Sequence, residues 1–519
     1  ARTLAEEAVS LDRQTEWRLV TRLVLRPGGR LTDAAPLWYR TYGLPEPPPA
    51  AHSDEKMLGL LMRGWSETLF QPEAPGFTMH YRRSGEEPRW LPHIAASLLV
   101  YGHRSGDFTP LRQVGVDPDT SLLEVQGSLF SGLQPAPLPE AVSKQTREGL
   151  WAYCEHTRHD VREVSGGFTD RLGEPGTLVA GYSASPHALQ VLGHAVRWGN
   201  DETFAASVKA LDAMKRYRVP RGAQTWEVPL LTPDLYAAAR IADAFRLGYE
   251  LTGDAEYLEQ CRYWLYTGLP FLYAYPVPGT QGAPSALVAW PHRHTAGGDV
   301  YFEDPGVHQP TPWGAIPVFG SSLYRVSWFG TLVQFCGLVW ADSVYAYLEY
   351  ESDALLEAAA DGAVRSGANQ TLDRAPYVGL LPDSWNLALN RAQPALIGPS
   401  RLEPPLRKRM NRPAFNRIRG RVVRRGAARI HMQSRGTISD ERADAYTLRW
   451  TARYLPNEIC ETLIVHCPVP RDVRSGGREI PRVEALLDVE EGWQFLAAVN
   501  GVAIRVKHTQ VFEAVRVTF

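Results

Sequence analysis

A glutamate beside a tryptophan is the residue pair of this sequence with the clearest catalytic potential. Glu227 follows Trp226 and precedes Val228 and Pro229. Apolar surroundings disfavour the charged form of a carboxyl group, so they raise its pKa and let it stay protonated as a general acid. Glu227 could instead be a structural carboxylate that caps a neighbouring loop, since the same apolar neighbours in the sequence are compatible with that role. The sequence therefore leaves both roles open for Glu227.

The segment 276–326 is rich in Pro, Gly, His and aromatic residues and has little periodicity. A long segment of this kind inside a compact domain is usually functional or disordered, and its many large rings favour order. Glycoside hydrolysis needs a second, ionised carboxyl group, which Asp299, Glu303 or Asp304 could supply. A solvated acidic turn or a calcium site would use the same residues. We expect this segment to fold over the site and to bring Tyr301 and Trp313 near Glu227.

The loop 181–187 and the segment 276–326 contain the groups that β-elimination requires. A Tyr or His then removes the proton next to a uronate carboxyl group, and Arg, Asn or His neutralises the carboxylate. His187 could instead be a histidine that caps a helix or lies in the core. Asp234 is interpreted as a helix-start residue. The predicted catalytic residues are Glu227, Asp299, Glu303, His187 and Tyr301, and the predicted substrate contacts are Tyr182, Trp226, His292, Arg293, His294 and Trp313.

Helical hairpins are predicted to position these residues. Thr232 is interpreted as the N-cap of one helix, Gly253 as its C-terminal stop and Asp254 as the cap of the next helix. Turn aspartates recur at Asp201, Asp254 and Asp353, which is a spacing close to one and two units of about fifty residues and indicates repeated helical pairs. Helices are also predicted at 52–70, 91–101 and 138–156.

The last part of the chain is predicted to be a β-domain. Leu448, Trp450 and Ala452 alternate with polar residues, and the pattern recurs at 502–506 and 515–519. Tyr446 and Tyr454 are assigned to the buried face of the first of these strands. The predicted domains are an N-terminal segment and linker at 1–51, a helical domain at 52–375 and an antiparallel β-sandwich at 376–519.

The sequence predicts hairpins at 185–217, 232–275 and 331–366, aromatic loops such as 224–229 and a sandwich that follows them. This combination of elements resembles the (α/α)-toroid carbohydrate-active enzymes. The resemblance is to the architecture of six-hairpin glycosidases and toroid polysaccharide lyases. It implies a fold of class α+β, with an (α/α) toroid followed by a β-sandwich, and an oligo- or polysaccharide substrate. It also implies that the loops leading into the inner helices line one cleft. A glycoside hydrolase is the leading expectation, with a polysaccharide lyase and a non-catalytic glycan-binding protein as alternatives.

The composition and the absence of known motifs argue against several other classes of function. The formal net charge is -2, and no nucleotide, flavin, serine-hydrolase or metalloprotease motif is present, so we predict no cofactor and no nucleic-acid partner. Five scattered cysteines support neither a disulfide framework nor a zinc site. No apolar run of membrane-spanning length occurs. The chain starts at Ala1, which suggests processing or truncation, and we expect a secreted or periplasmic protein.

Twelve Lys or Arg residues against one acid, Glu403, occupy the stretch 401–435. This basic run is interpreted as a solvated face or as a track for an anionic polymer.

Overall fold

The computed structural model describes residues 33–44, 47, 50–81, 85–134, 137–153, 172–225, 229–272, 322–323, 332–382, 384–386, 391–392 and 396–519. The helices are α1 Ala34–Tyr42, α2 Asp54–Arg63, α3 Pro92–Ser105, α4 Thr109–Gln113, α5 Leu122–Gln126, α6 Glu140–Ser143, α7 Leu189–Trp198, α8 Asp201–Met214, α9 Leu235–Thr252, α10 Ala255–Gly268, α11 Gln334–Tyr347, α12 Ala354–Asn369 and α13 Glu403–Arg409. Helical turns at Ala180–Tyr182 and Ser183–Ala188 lead into α7, and a further turn at Gly64–Thr68 continues α2. None of the described helices is long and apolar enough to cross a membrane.

Three hairpins, α7–α8, α9–α10 and α11–α12, form two layers. The inner helix α9 packs against both α7 and α11. Its side chains are buried almost all round, including Leu235, Ile241 and Phe245 at 0% exposure, as expected for a helix enclosed on every side. The outer helix α10 instead buries one face, with Tyr257, Trp264 and their neighbours. This inner and outer layering is the arrangement predicted for the helical part.

The hairpin turns are largely as predicted. Gly253 ends α9 in the left-handed conformation at φ 63°, where a Cβ atom would be strained, and its N–H donates to the Tyr249 carbonyl. Asp254 and Asp353 cap α10 and α12 through their side chains. At the third turn the cap is Asn200, and Asp201 is the first helical residue.

Two helix predictions were wrong in detail. Asp234, not Thr232, caps α9, because its carboxylate accepts the Ala237 N–H at 2.7 Å, three residues into the helix. The predicted helix 138–156 is reduced to α6, and residues 154–156 lie outside the described part. After α6 the chain turns at Gly149, and the Thr146 N–H donates to the Leu150 carbonyl.

Strands make up the C-terminal part and several small sheets. The strands are β1 Phe70–Gln71, β2 Gly76–Phe77, β3 Ser322–Leu323, β4 Leu332–Val333, β5 Leu381–Pro382, β6 Ser384–Asn386, β7 Arg391–Ala392, β8 Leu396–Ile397, β9 Arg419–Arg425, β10 Ala428–Ser434, β11 Thr437–Ala443, β12 Thr447–Arg453, β13 Ile459–Val465, β14 Asp472–Ser475, β15 Arg478–Glu479, β16 Gly492–Leu496, β17 Gly501–Lys507 and β18 Phe512–Thr518. Two antiparallel five-stranded sheets have the orders β16-β17-β13-β10-β9 and β11-β12-β18-β14-β15.

The two sheets face each other across an apolar core that includes Ile430, Trp450, Ile504 and Val517. The outer sheet alternates buried and exposed residues along β12 and β18, since one of its faces meets solvent. The inner strands β10, β13 and β17 are buried almost continuously, because their second face packs against the helical part. The predicted fold class, helical hairpins of the toroid type followed by an antiparallel β-sandwich, is confirmed.

One end of the first predicted strand differs from expectation. Tyr446 is 71% exposed and precedes β12, whereas Tyr454 is buried.

The strands of the sandwich begin at Arg419, and α13 packs against α11 and α2. The domain boundary at 375/376 stays a prediction.

The basic run joins the two parts of the chain. Arg421 contacts Glu250 and lies 2.9 Å from Glu349, both at the ends of inner helices. Further ion pairs link Lys408 to Asp342, Arg409 to Asp54, Arg412 to Glu55 and Arg419 to Glu349. Many cations of the run therefore pair with acids of the helical part, a role that the sequence analysis did not consider.

His431 is expected to make the stability of the same interface depend on pH. It is 3% exposed in β10, and its Nδ1 lies 2.9 Å from the Val196 carbonyl oxygen of α7. Burial lowers its pKa to about 4, assisted by His466 and Arg429, although the Val196 carbonyl acts in the opposite direction. The unfolded chain takes up this proton near pH 6.5. The stability that His431 contributes is therefore fully present above pH 6.5 and is lost as the pH falls towards 4.

We expect His431 alone to lower the free energy of unfolding by about 3 kcal/mol between pH 7 and pH 4. Urea unfolding at a series of pH values measures this slope, and His431→Gln, which cannot titrate, should flatten it. An equally steep slope in the variant would assign the pH dependence to other groups.

Candidate active site

The inner helices begin at one end of the helical part, and hydrogen bonds connect their starts. The Gly181 N–H, ahead of α7, donates to the Arg221 carbonyl at 3.0 Å. The Gln224 side chain donates to Asp234 at 2.7 Å and accepts the Cys336 thiol at 3.7 Å. Asp234 caps α9 and Cys336 lies in the first turn of α11. The loops at 181–187 and 224–234 are therefore neighbours, as the resemblance implied.

Asp234 has a structural role as the buried cap of α9. Its carboxylate is 2% exposed and accepts hydrogen bonds from Gln224 and from the Ala237 backbone. Burial raises its pKa to about 6, and these hydrogen bonds limit the rise. The interpretation of Asp234 as a helix-start residue agrees with this geometry.

His187 and Tyr182 belong to a cluster of rings at this end, which we call the aromatic cluster: Trp151, Tyr153, Tyr182 and His187. The imidazole stacks on Trp151 with centroids 5.5 Å apart and planes 12° from parallel. It meets the Tyr182 ring edge-on at 5.1 Å, and Tyr182 in turn contacts Tyr153 at 4.5 Å. Burial, and then the charge of Lys144, lower the pKa of His187, so its imidazole is neutral at pH 7. Trp151 and Tyr153 were not predicted, since nothing local separates them from core aromatics.

Gln224 and Leu230, each three residues from Glu227 in the chain, are held beside the aromatic cluster. The Tyr153 hydroxyl donates to the Leu230 carbonyl at 2.9 Å, and the Leu230 N–H donates to the Gln224 carbonyl at 3.2 Å. The Gly173 N–H donates to the Pro229 carbonyl at 2.8 Å. The predicted site residues that lie outside the described part are Trp226, Glu227, His292, Arg293, His294, Asp299, Tyr301, Glu303 and Trp313. The predicted closure of 276–326 over the site also falls there, apart from residues 322–323.

A cavity of 580 Å³ opens among residues that the sequence analysis missed. Its lining residues are Glu67, Thr68, Phe70, Gln71, Thr78, Tyr81, Glu86, Pro88, Ala375, Pro376 and Val378. Thr68 donates its hydroxyl to the Val378 carbonyl at 2.8 Å. Residue 378 follows the C-terminal end of α12, where Gln370 donates to Gln334 at the start of α11. The cavity therefore lies at the same end as the inner helix starts.

A local signal for this cavity existed in the sequence. Residues 67–90 contain proline, glycine, histidine and aromatic residues between two helices, as the segment 276–326 does. Only the fold brings this stretch against Ala375, Pro376 and Val378. In the described part of the chain, no cluster of three or more His, Cys, Asp or Glu side chains could hold a metal ion.

The chain shows structural similarity to three solved enzymes. Endoglucanase CelQ from Clostridium thermocellum is 10% identical, with 90% of this chain and 92% of that chain covered, at a TM-score of 0.25. An unsaturated glucuronyl hydrolase from Streptococcus agalactiae is 11% identical, with 70% and 89% covered, at a TM-score of 0.21. A GH127 β-arabinofuranosidase, BT3674, is 9% identical, with 94% and 76% covered, at a TM-score of 0.19.

No family model and no curated protein matches the chain. The TM-scores of these structural similarities are all below 0.5, so the function is inferred from the residues of this chain alone.

Proposed function

We propose that the protein is a carbohydrate-active enzyme that hydrolyses glycosidic bonds in an oligo- or polysaccharide, with Glu227 as the general acid. The observation that carries the proposal is the anchoring of Gln224 and Leu230, on either side of Glu227, beside the aromatic cluster. Aromatic surroundings keep a carboxyl group protonated, which a general acid requires. Flat rings also suit the apolar faces of sugar rings.

We extend the proposal to the other residues of this mechanism. Asp299 or Glu303 supplies the ionised carboxylate that glycoside hydrolysis needs. The residues that contact the sugar are Tyr182, Trp226, His292, Arg293, His294 and Trp313. A substrate of this kind fits a secreted or periplasmic enzyme.

A polysaccharide lyase is the second candidate, and the state of His187 favours it. The lowered pKa leaves a neutral imidazole that can accept a proton at pH 7. Tyr182 lies next to that imidazole, and Arg293 is a candidate to neutralise the uronate carboxylate. In this mechanism His187 or Tyr301 removes the proton, and no carboxyl general acid is required.

A panel of neutral and uronate-containing glycans tests both candidates in one experiment. We expect new reducing ends without a rise in ultraviolet absorbance, because hydrolysis creates no double bond. A parallel rise of both signals would identify elimination, since only elimination leaves an unsaturated uronate. No new reducing ends on any glycan would favour a non-catalytic glycan-binding protein.

A further inference from the structure

We propose that the 580 Å³ cavity beside Glu67 and Glu86 binds an uncharged sugar unit of the glycan and disfavours uronate units. This inference rests on the proposed function, because it identifies the substrate class of that enzyme. The volume falls within the range of roughly 300–1,000 Å³ that is common for small-molecule sites.

The two carboxylates offer acceptors that suit sugar hydroxyl groups. Arg63 donates to the two oxygens of Glu67 at 2.7 and 2.9 Å. Glu86 accepts the Met79 N–H at 2.5 Å and the His80 N–H at 3.2 Å, and it lies 3.0 Å from the His80 imidazole. An ionised carboxylate has about four acceptor positions, so both groups retain capacity for a hydroxyl donor.

The remaining lining supplies apolar surface and further polar atoms. Phe70, Tyr81, Pro88 and Pro376 present carbon atoms that can pack against the C–H groups of a sugar ring, and Thr68, Gln71 and Thr78 add hydroxyl and amide groups. A few polar groups among apolar surfaces is the usual composition of a small-molecule site.

The charges of the lining select against an acidic sugar. Among the described residues that line the cavity there are two carboxylates and no Lys, Arg or His. A uronate carboxylate would therefore meet like charges, and juxtaposed like charges are strongly unfavourable at an interface. Arg63 already pairs with Glu67, so the site does not require a cationic ligand either. An uncharged sugar is the ligand that fits.

The position of the cavity connects it with the proposed active site. It lies at the end of the helical part where the inner helices begin, which is also the end that carries the aromatic cluster. A glycan that reaches both places would be cleaved at one and held at the other.

Calorimetric titration with neutral and uronate oligosaccharides of matched length tests the inference. Gln71→Trp places a large ring in the cavity from an exposed strand position, where the fold tolerates it. We expect this variant to bind neutral oligosaccharides at least about tenfold more weakly. Gln510→Trp, at an exposed glutamine of the sandwich, is the matched control and should bind as the unmodified protein does.

Glu67→Gln tests the charge argument separately. It removes one negative charge and frees Arg63, so the affinity for uronate oligosaccharides should rise at least about tenfold relative to neutral ones. Failure of the unmodified protein to bind any neutral oligosaccharide would overturn the inference. Equal affinity for uronate and neutral oligosaccharides would also overturn it.

The two proposals can fail independently. If Gln71→Trp abolishes binding but the unmodified protein cleaves no glycan, the cavity assignment stands and the enzymatic function is wrong. If Gln71→Trp binds and cleaves neutral glycans as the unmodified protein does, the function stands and the cavity assignment is wrong.

Discussion

Replacing Glu227 by Gln is expected to lower the turnover of glycan hydrolysis at least about a hundredfold, the scale of general-acid catalysis. Gln keeps the size and much of the polarity of the side chain but has no acidic proton for the leaving oxygen. Binding of the intact glycan should change little, so the loss should appear in kcat rather than in KM. Initial rates of reducing-end formation, measured across a series of substrate concentrations, separate the two constants.

Glu259→Gln is the matched control, because Glu259 is an exposed residue of the outer helix α10. It should leave both constants unchanged. The hydrolase proposal is contradicted if Glu227→Gln stays active while His187→Ala or Tyr301→Phe abolishes cleavage. That pattern would support the lyase, in which those residues remove the proton.

Arg505→Met is expected to lower the free energy of unfolding by about 3–5 kcal/mol, the cost of leaving one buried charge without its partner. The Arg505 and Glu461 side chains are 5% and 0% exposed and lie 2.9 Å apart. Arg505 also donates to the Leu486 and Val489 carbonyls, and Glu461 accepts the Ser128 hydroxyl at 2.6 Å. The pair therefore ties the inner sheet to a loop of the helical part. Urea unfolding followed by tryptophan fluorescence measures the loss.

A neighbouring pair on the same strand provides the control. Lys507 and Glu490 are 2.8 Å apart, but their side chains are 40% and 67% exposed. Lys507→Met should cost less than about 1 kcal/mol, because water screens an exposed pair. The double variant Arg505→Met with Glu461→Leu should regain part of the stability, since no charge is then left unpaired. Equal losses for Arg505→Met and Lys507→Met would contradict this account.

Local sequence signals predicted those helices and strands whose ends depend on residues only a few positions away in the chain. Gly253 and Asp254 mark the turn between α9 and α10 because a left-handed residue and a capping carboxylate each act over one helical turn. The alternation along β12 likewise follows from a sheet with one buried face. Thr232 was misassigned as a cap because Asp234, two residues later, is an equally good capping residue. Tertiary contacts with Gln224 accompany the choice of Asp234.

The candidate site was only partly accessible from the sequence. His187 and Tyr182 were selected from the loop that leads into α7, and the structure brings them together with each other and with Trp151. Glu67 and Glu86 were missed, since the composition of 67–90 does not show which distant residues complete their cavity. Their cavity exists only because Thr68 meets Val378, which lies 310 residues away.

By itself, the sequence determined the helical hairpins and the sandwich strands, and the site residues that it proposed stay predictions. The hairpins and strands depend on periodicity, caps and side-chain type, which are properties of short stretches. Only the tertiary structure decided that the basic run pairs with acids of the helical part. It also decided that Glu461 meets Ser128 across 333 residues and that two glutamates share a cavity. The physical reason is that ion pairs and cavities form between segments far apart in the chain, and local patterns do not specify which distant segments meet.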